Sequence, residues 1–119
     1  MFKINTETGA ITMHKGDTGS FLIRGKKATF GAADRAVFTV RDSSGTIVKE
    51  QTSALADGAF RVIFLNSDTD GLATGTYKWD VRYAWNPVYD DDNKVIDGYP
   101  IYTPRDGMTL EIRPVVGEI

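Results

Sequence analysis

The clearest pattern in the sequence is an alternation of large apolar and polar residues between Gly75 and Trp85. A period of two places one set of side chains on one face of a strand, whereas a helix would distribute them around its circumference. Aromatic and β-branched side chains also suit a pleated, half-buried surface. The pattern therefore predicts a β-strand from Thr76 to Trp85 whose apolar face forms the centre of the core. The residues of that face are Tyr77, Trp79, Val81, Tyr83 and Trp85.

Shorter alternations of the same kind recur along the chain and are separated by turn residues. Glycine, serine and aspartate mark the turns at residues 42–45 and 56–58, because these residues accept the backbone geometry of tight turns. In the segment 60–65, apolar residues stand on both faces, so we expect both faces to be covered for part of its length, with Ile63 and Leu65 on the second face. The further strands predicted in this way are residues 2–5, 11–14, 21–23, 36–41, 46–50, 60–65 and 108–113.

Short strands at a spacing of about ten residues, with turn signals between them, are typical of a β-sandwich. A chain of 119 residues is long enough to bury its own core. We therefore predict a single domain, residues 1–119, with an immunoglobulin-like antiparallel β-sandwich of roughly seven to nine strands. The sequence contains no cysteine. The two sheets must then be held by packing without a disulfide, and thiolate metal sites are excluded.

Residues 86–106 interrupt the regular pattern and are predicted to form an elaborated loop. Prolines break this segment, and the run Asp90–Asp92 marks an acidic tip. Residues 88–89 and 94–96 can flank that tip as a hairpin arm. Large side chains in or beside an irregular loop often contact a partner. We therefore predict a partner-binding surface that consists of Trp85, Tyr89, Tyr99, Ile101 and Tyr102.

The same aromatic residues allow an alternative interpretation, a carbohydrate-binding module in which exposed rings stack on sugars. Tyr77 and Trp79 lie in the middle of an alternating face, which favours packing in the core. Tyr83 and Trp85 lie at the end of the strand, where we expect partial exposure to a partner. Protein binding and glycan binding both remain open at this point.

Residues that could carry catalysis or bind metal are few. Residues 66–71 match the opening of a calcium loop, but Tyr77 occupies the twelfth position, where a bidentate carboxylate is needed. A capped turn is the better interpretation there, and a solvated hairpin tip is the better one for Asp90–Asp92. His14 is the single histidine and stands in a turn-rich segment, as a surface residue would. We predict no catalytic residue, no metal and no cofactor, and hence that the protein is not an enzyme.

Charge and hydropathy narrow the classes of partner. The net charge of −2 provides no basic surface for nucleic acid. No apolar run approaches the roughly 18–20 residues of a membrane span. The first residues are too polar for a signal peptide. We therefore expect neither nucleic acid nor a membrane as a partner. We also expect a protein that is made and used in the cytoplasm, or one that is released by a route other than secretion.

Three segments of the chain resemble the N-terminal domains of phage baseplate upper proteins and related tail accessory proteins. The first is residues 11–19, which contain a Gly-Asp-Thr turn at 16–18. The second is the strand at 36–42 that leads into a glycine turn. The third is residues 65–81, of which 68–81 fit the pattern D-T-x-x-L-x-x-G-x-Y-x-x-D-V. Together these segments span most of the chain.

The resemblance implies an immunoglobulin-like sandwich in the tail of a phage or prophage. It also implies a virion component that is assembled in the cytoplasm of the bacterial host. Its partners would be other phage structural proteins, further copies of the same chain, or both. This agrees with a chain that has neither a cysteine nor an apolar leader.

Overall fold

The computed structural model of the protein describes residues 2–5, 7–24, 30–85, 88–92, 95–97 and 101–114. In the strand segments 88–89, 95–97 and 101–107 it describes the backbone alone. The chain is built from ten strands and one short helix within these ranges. In chain order they are β1 (Lys3–Ile4), β2 (Ile11–His14), β3 (Gly19–Ile23), β4 (Arg35–Arg41), β5 (Ile47–Ala56), β6 (Ala59–Phe64), α1 (Asn66–Thr69), β7 (Gly75–Ala84), β8 (Val88–Tyr89), β9 (Val95–Asp97) and β10 (Ile101–Arg113).

Eight strands form one curled sheet in the order β1-β2-β10-β7-β4-β5-β6-β3. The long strand β5 belongs to two parts of it, because Ile47–Ala54 pair with β4 whereas Leu55 and Ala56 pair with β6. We call β1-β2-β10-β7-β4-β5 the larger sheet and β5-β6-β3 the smaller sheet. Apolar side chains of both parts meet in one core. The predicted all-β, sandwich-like fold is confirmed.

One strand pair departs from the predicted antiparallel arrangement. β2 and β10 run parallel, from Leu110 opposite Ile11 to Arg113 opposite His14. The backbone N–H of Lys15 continues this ladder by donating to the carbonyl of Arg113 at 2.9 Å. Because β2 and β10 are far apart in the sequence, no tight turn forces them to be antiparallel.

The strand with the clearest alternation is central, as predicted. β7 lies between β4 and β10, and its inward side chains Tyr77, Trp79, Val81 and Tyr83 are buried. Trp85 follows the last residue of β7. Neighbouring strands of the chain form antiparallel hairpins, β1 with β2 and β4 with β5. The short β8 and β9 pair across the acidic tip, which confirms the hairpin arm predicted there.

The last strand begins earlier than the sequence pattern predicts. The pattern assigns residues 101–106 to a loop, but β10 starts at Ile101 and pairs with β7 along its length. The register of this pairing shifts twice, between Tyr102 and Arg105 and again between Arg105 and Met108. Such irregularities break the period of two and allow a proline, here Pro104, within a strand. The sequence of the first half of β10 therefore shows no regular alternation of apolar and polar residues.

The expectation for the outer face of β6 is wrong. Phe60, Val62 and Phe64 are buried in the core as predicted, but Ile63 is 42% exposed and Leu65, just after the strand, is 58% exposed. β6 lies in the smaller sheet, whose outer face carries no further layer in the described part of the chain. Two large apolar side chains are consequently left on the surface.

A buried hydrogen bond joins the central strand to the N-terminal hairpin. The indole Nε1–H of Trp79 donates to the carbonyl oxygen of Gly9 at 3.0 Å. Gly9 has a φ of +76°, and a Cβ atom there would lie 2.9 Å from Sδ of Met108 and 3.2 Å from the Trp79 ring. Glycine is therefore required at this position both for its backbone conformation and for its small size.

The turn between β4 and β5 is organised by one carboxylate. Oδ1 of Asp42 accepts hydrogen bonds from the Ser44 hydroxyl at 2.7 Å, the Ser44 N–H at 3.0 Å and the Thr46 N–H at 2.9 Å. Gly45 completes the turn with a φ of +87°. These bonds lower the pKa of Asp42, and the Ser44 hydroxyl is the largest cause, followed by the Thr46 N–H.

Substitution of Ser44 by alanine tests whether the Ser44 hydroxyl lowers the pKa of Asp42. We expect the pKa of Asp42 to rise in Ser44→Ala while it stays below its ordinary value, because the backbone donors remain. Since folding lowers this pKa, the turn stabilises the native state above the unfolded pKa, and this stabilisation is lost as the pH falls through the folded pKa. An NMR titration of the Asp42 carboxyl carbon measures the shift. Ser43→Ala is the control, and an equal pKa in both variants would contradict the prediction.

Substitution of Gly9 by alanine tests the contact with Trp79. Gly58 in the β5–β6 turn has the same φ of +76°, but a Cβ atom there would meet nothing within 4 Å beyond its chain neighbours. We expect Gly58→Ala to lower the free energy of unfolding by about 1–2 kcal/mol through backbone strain alone. Gly9→Ala should cost about 1–2 kcal/mol more, because the methyl group also overpacks the core. Urea denaturation of both variants measures the difference, and equal losses would contradict the role of packing at Gly9.

Candidate functional site

The structure places Trp85, one of the predicted contact residues, partly inside the core. Its ring stacks on Phe30 with a centroid distance of 5.1 Å and an interplanar angle of 13°. The Phe30 ring also meets Phe60 and Tyr83 edge-on, at 5.0 and 4.7 Å. Trp85 remains half-buried. One face of its ring is therefore already used within the molecule.

The remaining predicted contact residues are placed in less detail. Tyr99 lies outside the described residues. Tyr89 stands in β8 opposite Val95. Ile101 and Tyr102 open β10, with their backbones opposite Ala84 and Tyr83 at the end of β7. The strand pairing thus brings the backbones of Ile101 and Tyr102 close to the end of β7, where Trp85 follows, and their role in binding a partner stays a prediction.

The aromatic residues of β7 are not a surface on which sugars can stack. Tyr83, for which the sequence predicts partial exposure, is only 3% exposed because Phe30 and Phe60 cover it. Tyr77 and Trp79 are buried as well. Stacking on a sugar needs a ring face that is open to solvent, and these three rings have none to offer.

The residues that resemble a calcium loop form hydrogen bonds and an ion pair with other parts of the chain. Asn66 begins α1, and its side-chain amide donates to the carbonyl of Gly16 at 2.8 Å. The buried hydroxyl of Thr69 accepts the N–H of Gly16 at 2.8 Å. The Asp68 carboxylate accepts the N–H of Leu65 and forms an ion pair with Lys49 at 3.1 Å. The interpretation as a capped turn is therefore confirmed.

The other polar residues considered in the sequence lie in turns or, as His14 does, at the end of a strand beside a turn. Oδ2 of Asp17 accepts the backbone N–H of His14 at 2.8 Å and lies 3.8 Å from its imidazole Nδ1. At the acidic tip, the N–H of Asp92 donates to Oδ1 of Asp90 at 2.9 Å. Within the described ranges, no three His, Cys, Asp or Glu side chains converge on a possible metal position.

The smaller sheet ends in an open edge at β3. In the described part of the chain, β3 pairs with β6 and has no strand on its other side. The outward side chain of Leu22 is 39% exposed, and that of Ile63 on the neighbouring strand is exposed as well. An open strand that carries exposed apolar side chains is a natural place for another chain to pair. We take this edge as the candidate site.

A groove of about 590 Å³ runs along the seam between β5 and β6 and extends to Leu22 on the edge strand β3. The smaller sheet contributes Leu22 and Arg61 to its lining, and Arg24, just after the end of β3, also lines it. β5 contributes a run of residues that includes Gln51 and Ser53. The groove is therefore mixed in character, with two guanidinium groups and the carboxylate of Asp57 beside an exposed leucine.

The seam itself is closed by side chains where the two strands separate. Gln51 pairs with Phe38 in the larger sheet, and its side chain reaches over to β6. Its amide nitrogen donates to the carbonyl of Arg61 at 2.9 Å, and its amide oxygen accepts the N–H of Ile63 at 2.9 Å. The Ser53 hydroxyl donates to the same Arg61 carbonyl at 2.8 Å. The Gln51 amide thus replaces the peptide group that a neighbouring strand would supply.

These hydrogen bonds also show which way the backbone of β3 points. Because the Arg61 carbonyl and the Ile63 N–H face β5, the intervening Val62 must exchange its hydrogen bonds with β3. Phe21 is opposite Val62 and faces β6, so the N–H and C=O groups of its neighbours Ser20 and Leu22 point away from β6. The open edge therefore presents main-chain donors and acceptors on its free side.

Sequence reasoning did not identify this edge or the groove beside it. The alternation in residues 60–65 did place Arg61 and Ile63 on one face, which was a usable signal. It could not show that this face is open, because that depends on which strands pair.

Comparison with known protein families, with curated proteins and with solved structures found no match. Among the described residues, no helix is long and apolar enough to cross a membrane.

Replacement of Gln51 by alanine tests whether its side-chain amide stabilises the seam between β5 and β6. The variant removes the acceptor of a main-chain N–H, and we expect a loss of about 1–2 kcal/mol in the free energy of unfolding. The amide of Ile63 should exchange its hydrogen faster, whereas the Arg61 carbonyl retains the Ser53 hydroxyl. Hydrogen exchange followed by NMR measures this. The neighbouring Thr52→Ala is the control, and unchanged exchange at Ile63 in Gln51→Ala would contradict the proposed bridge.

Proposed function

We propose that the protein is a non-enzymatic structural component of a phage or prophage tail, as a baseplate or tail accessory protein. It acts by binding other proteins of the particle, further copies of itself, or both. It is assembled in the cytoplasm of the bacterial host. The observation that carries the proposal is the direct contact between two of the segments through which the sequence resembles that family.

The contact joins the turn at residues 16–18 to the segment 68–81. The N–H of Gly16 donates to the Thr69 hydroxyl, and Asn66 next to this segment donates to the Gly16 carbonyl. Thr69 is buried, and Gly16 has a φ of +83°, which favours glycine. Gly16 and Thr69 thus depend on each other for their hydrogen bonds and form one structural unit. Their joint presence therefore supports a shared fold with the tail proteins better than separate short motifs would.

The surface supports a binding role. The outer face of the smaller sheet leaves Leu22, Ile63 and the nearby Leu65 exposed in the described structure. Apolar side chains grouped beside an open sheet edge are typical of a surface that another protein covers. The lining of the nearby groove includes arginine, aspartate, serine and glutamine. These features favour a contact between proteins.

Detection in purified particles tests the function. Antibodies against the recombinant protein are applied to phage particles induced from a bacterial strain that carries the gene. We expect the protein to be present in density-purified particles and immunogold labels to mark the tail. A major capsid antibody is the control for particle integrity. Absence of the protein from intact particles would contradict the proposal.

A further inference from the structure

The two edges of the eight-stranded sheet differ in how well they are protected. At one end, β1 is two residues long and contains Lys3. At the other end, β3 runs over the five residues Gly19–Ile23, without charge, proline or register shift. Proteins commonly guard an edge by making it short or by placing lysine or proline on it. β1 follows this rule and β3 does not.

The side chains of β3 are also incompletely covered. The inward residues of its neighbour β6, Phe60 and Val62, are buried almost completely. Phe21 and Ile23 point to the same core from β3 but are only half-buried. Together with the exposed Leu22, they leave apolar surface on both faces of the edge. A strand added beside β3 would cover this surface and bond the free main-chain groups of Ser20 and Leu22.

Two arginines set the charge beside the edge. A guanidinium Nη1 of Arg61 reaches from β6 across to β3, where it donates to the Ser20 hydroxyl at 3.2 Å. Arg24 follows the end of β3, is exposed and lines the same groove. Because neighbouring strands lie about 4.8 Å apart, carboxylates on an added strand would be within reach of both groups.

We propose that β3 binds an extended acidic segment of a partner protein, which adds as a further strand to the smaller sheet. Main-chain hydrogen bonds to Ser20 and Leu22 provide the affinity, and outward carboxylates of the segment pair with Arg24 and Arg61. Apolar residues at the alternate positions of the segment cover Phe21 and Ile23. This inference rests on the proposed function, to which it adds the chemistry of the partner.

Charge argues for an acidic partner over a second copy of this chain. If two β3 strands paired, the arginines of both copies would lie near one continuous face without carboxylates between them. Like charges at neighbouring positions of a sheet are destabilising. An acidic segment instead neutralises the arginines of one copy.

The test uses the purified protein and a capped peptide of alternating valine and glutamate, about eight residues long, which is within the range of natural strands. A peptide with lysine in place of glutamate is the matched control. We expect the acidic peptide at millimolar concentration to shift the amide NMR signals of Ser20 and Leu22 and to slow their hydrogen exchange. Binding should weaken as salt is added, because the arginines are exposed. The lysine peptide should leave these signals unchanged.

Three variants assign the effect to the edge. Leu22→Pro blocks strand addition but preserves the ladder to β6, since the Leu22 N–H points away from it. We expect it to retain its thermal stability and to bind the acidic peptide at least about tenfold more weakly. Arg61→Glu should also weaken binding. Lys78→Glu, which makes the same charge change on the larger sheet, should bind as the wild type does.

Several results would overturn the inference. These are unshifted amides at Ser20 and Leu22, equal binding of both peptides, normal binding by a folded Leu22→Pro variant, or self-association that this variant abolishes. The outcome is independent of the particle assay. A protein that binds the peptide but is absent from particles contradicts the proposed function alone. A protein that is present in particles but ignores the peptide contradicts strand addition alone.

Discussion

The packing of Trp79 is the contact on which the rest of the structure depends. Its indole N–H is hydrogen-bonded to the carbonyl of Gly9 in the N-terminal hairpin. The same ring packs against Phe38 of β4 at 5.3 Å and against Phe21 of β3 at 6.0 Å. One side chain of the central strand therefore touches the N-terminal turn, the larger sheet and the smaller sheet. The protein has no cysteine, so this packing contact, and not a disulfide, links the two sheets.

The division of the sheet at β5 explains both the core and the open surface. β5 leaves β4 only after Ala54 and pairs with β6 for two residues, so most of β6 has no strand on that side among the described residues. The Gln51 amide compensates with two hydrogen bonds to the main chain of β6. This lets the smaller sheet fold over the larger one and cover the aromatic core. It also leaves the seam with a groove that arginines of the smaller sheet line.

Local patterns predicted most elements well but could not predict how distant strands pair. β7 could be predicted because its two faces differ in polarity from Tyr77 onward. The turn at residues 42–45 could be predicted because aspartate, serine and glycine favour tight turns. β10 was predicted too short because its register shifts hide the alternation. Among the predicted contact residues, the sequence singled out Trp85 but not its stacking partner Phe30, because Phe30 lies in a segment without a pattern. The open edge of β3 depends on contacts between distant strands, which no local pattern contains.

The parallel pair of β2 and β10 has a consequence for how the chain reaches its native state. β2 is synthesised well before its partner β10, and all the strands from β3 to β9 are made between them. The N-terminal hairpin therefore cannot complete its pairing with the rest of the sheet until β10 has left the ribosome. Closing so long a loop is slow, since its entropic cost precedes any gain from pairing. The sheet is thus completed late, and the interval before its completion is when an exposed strand is most open to capture by another chain.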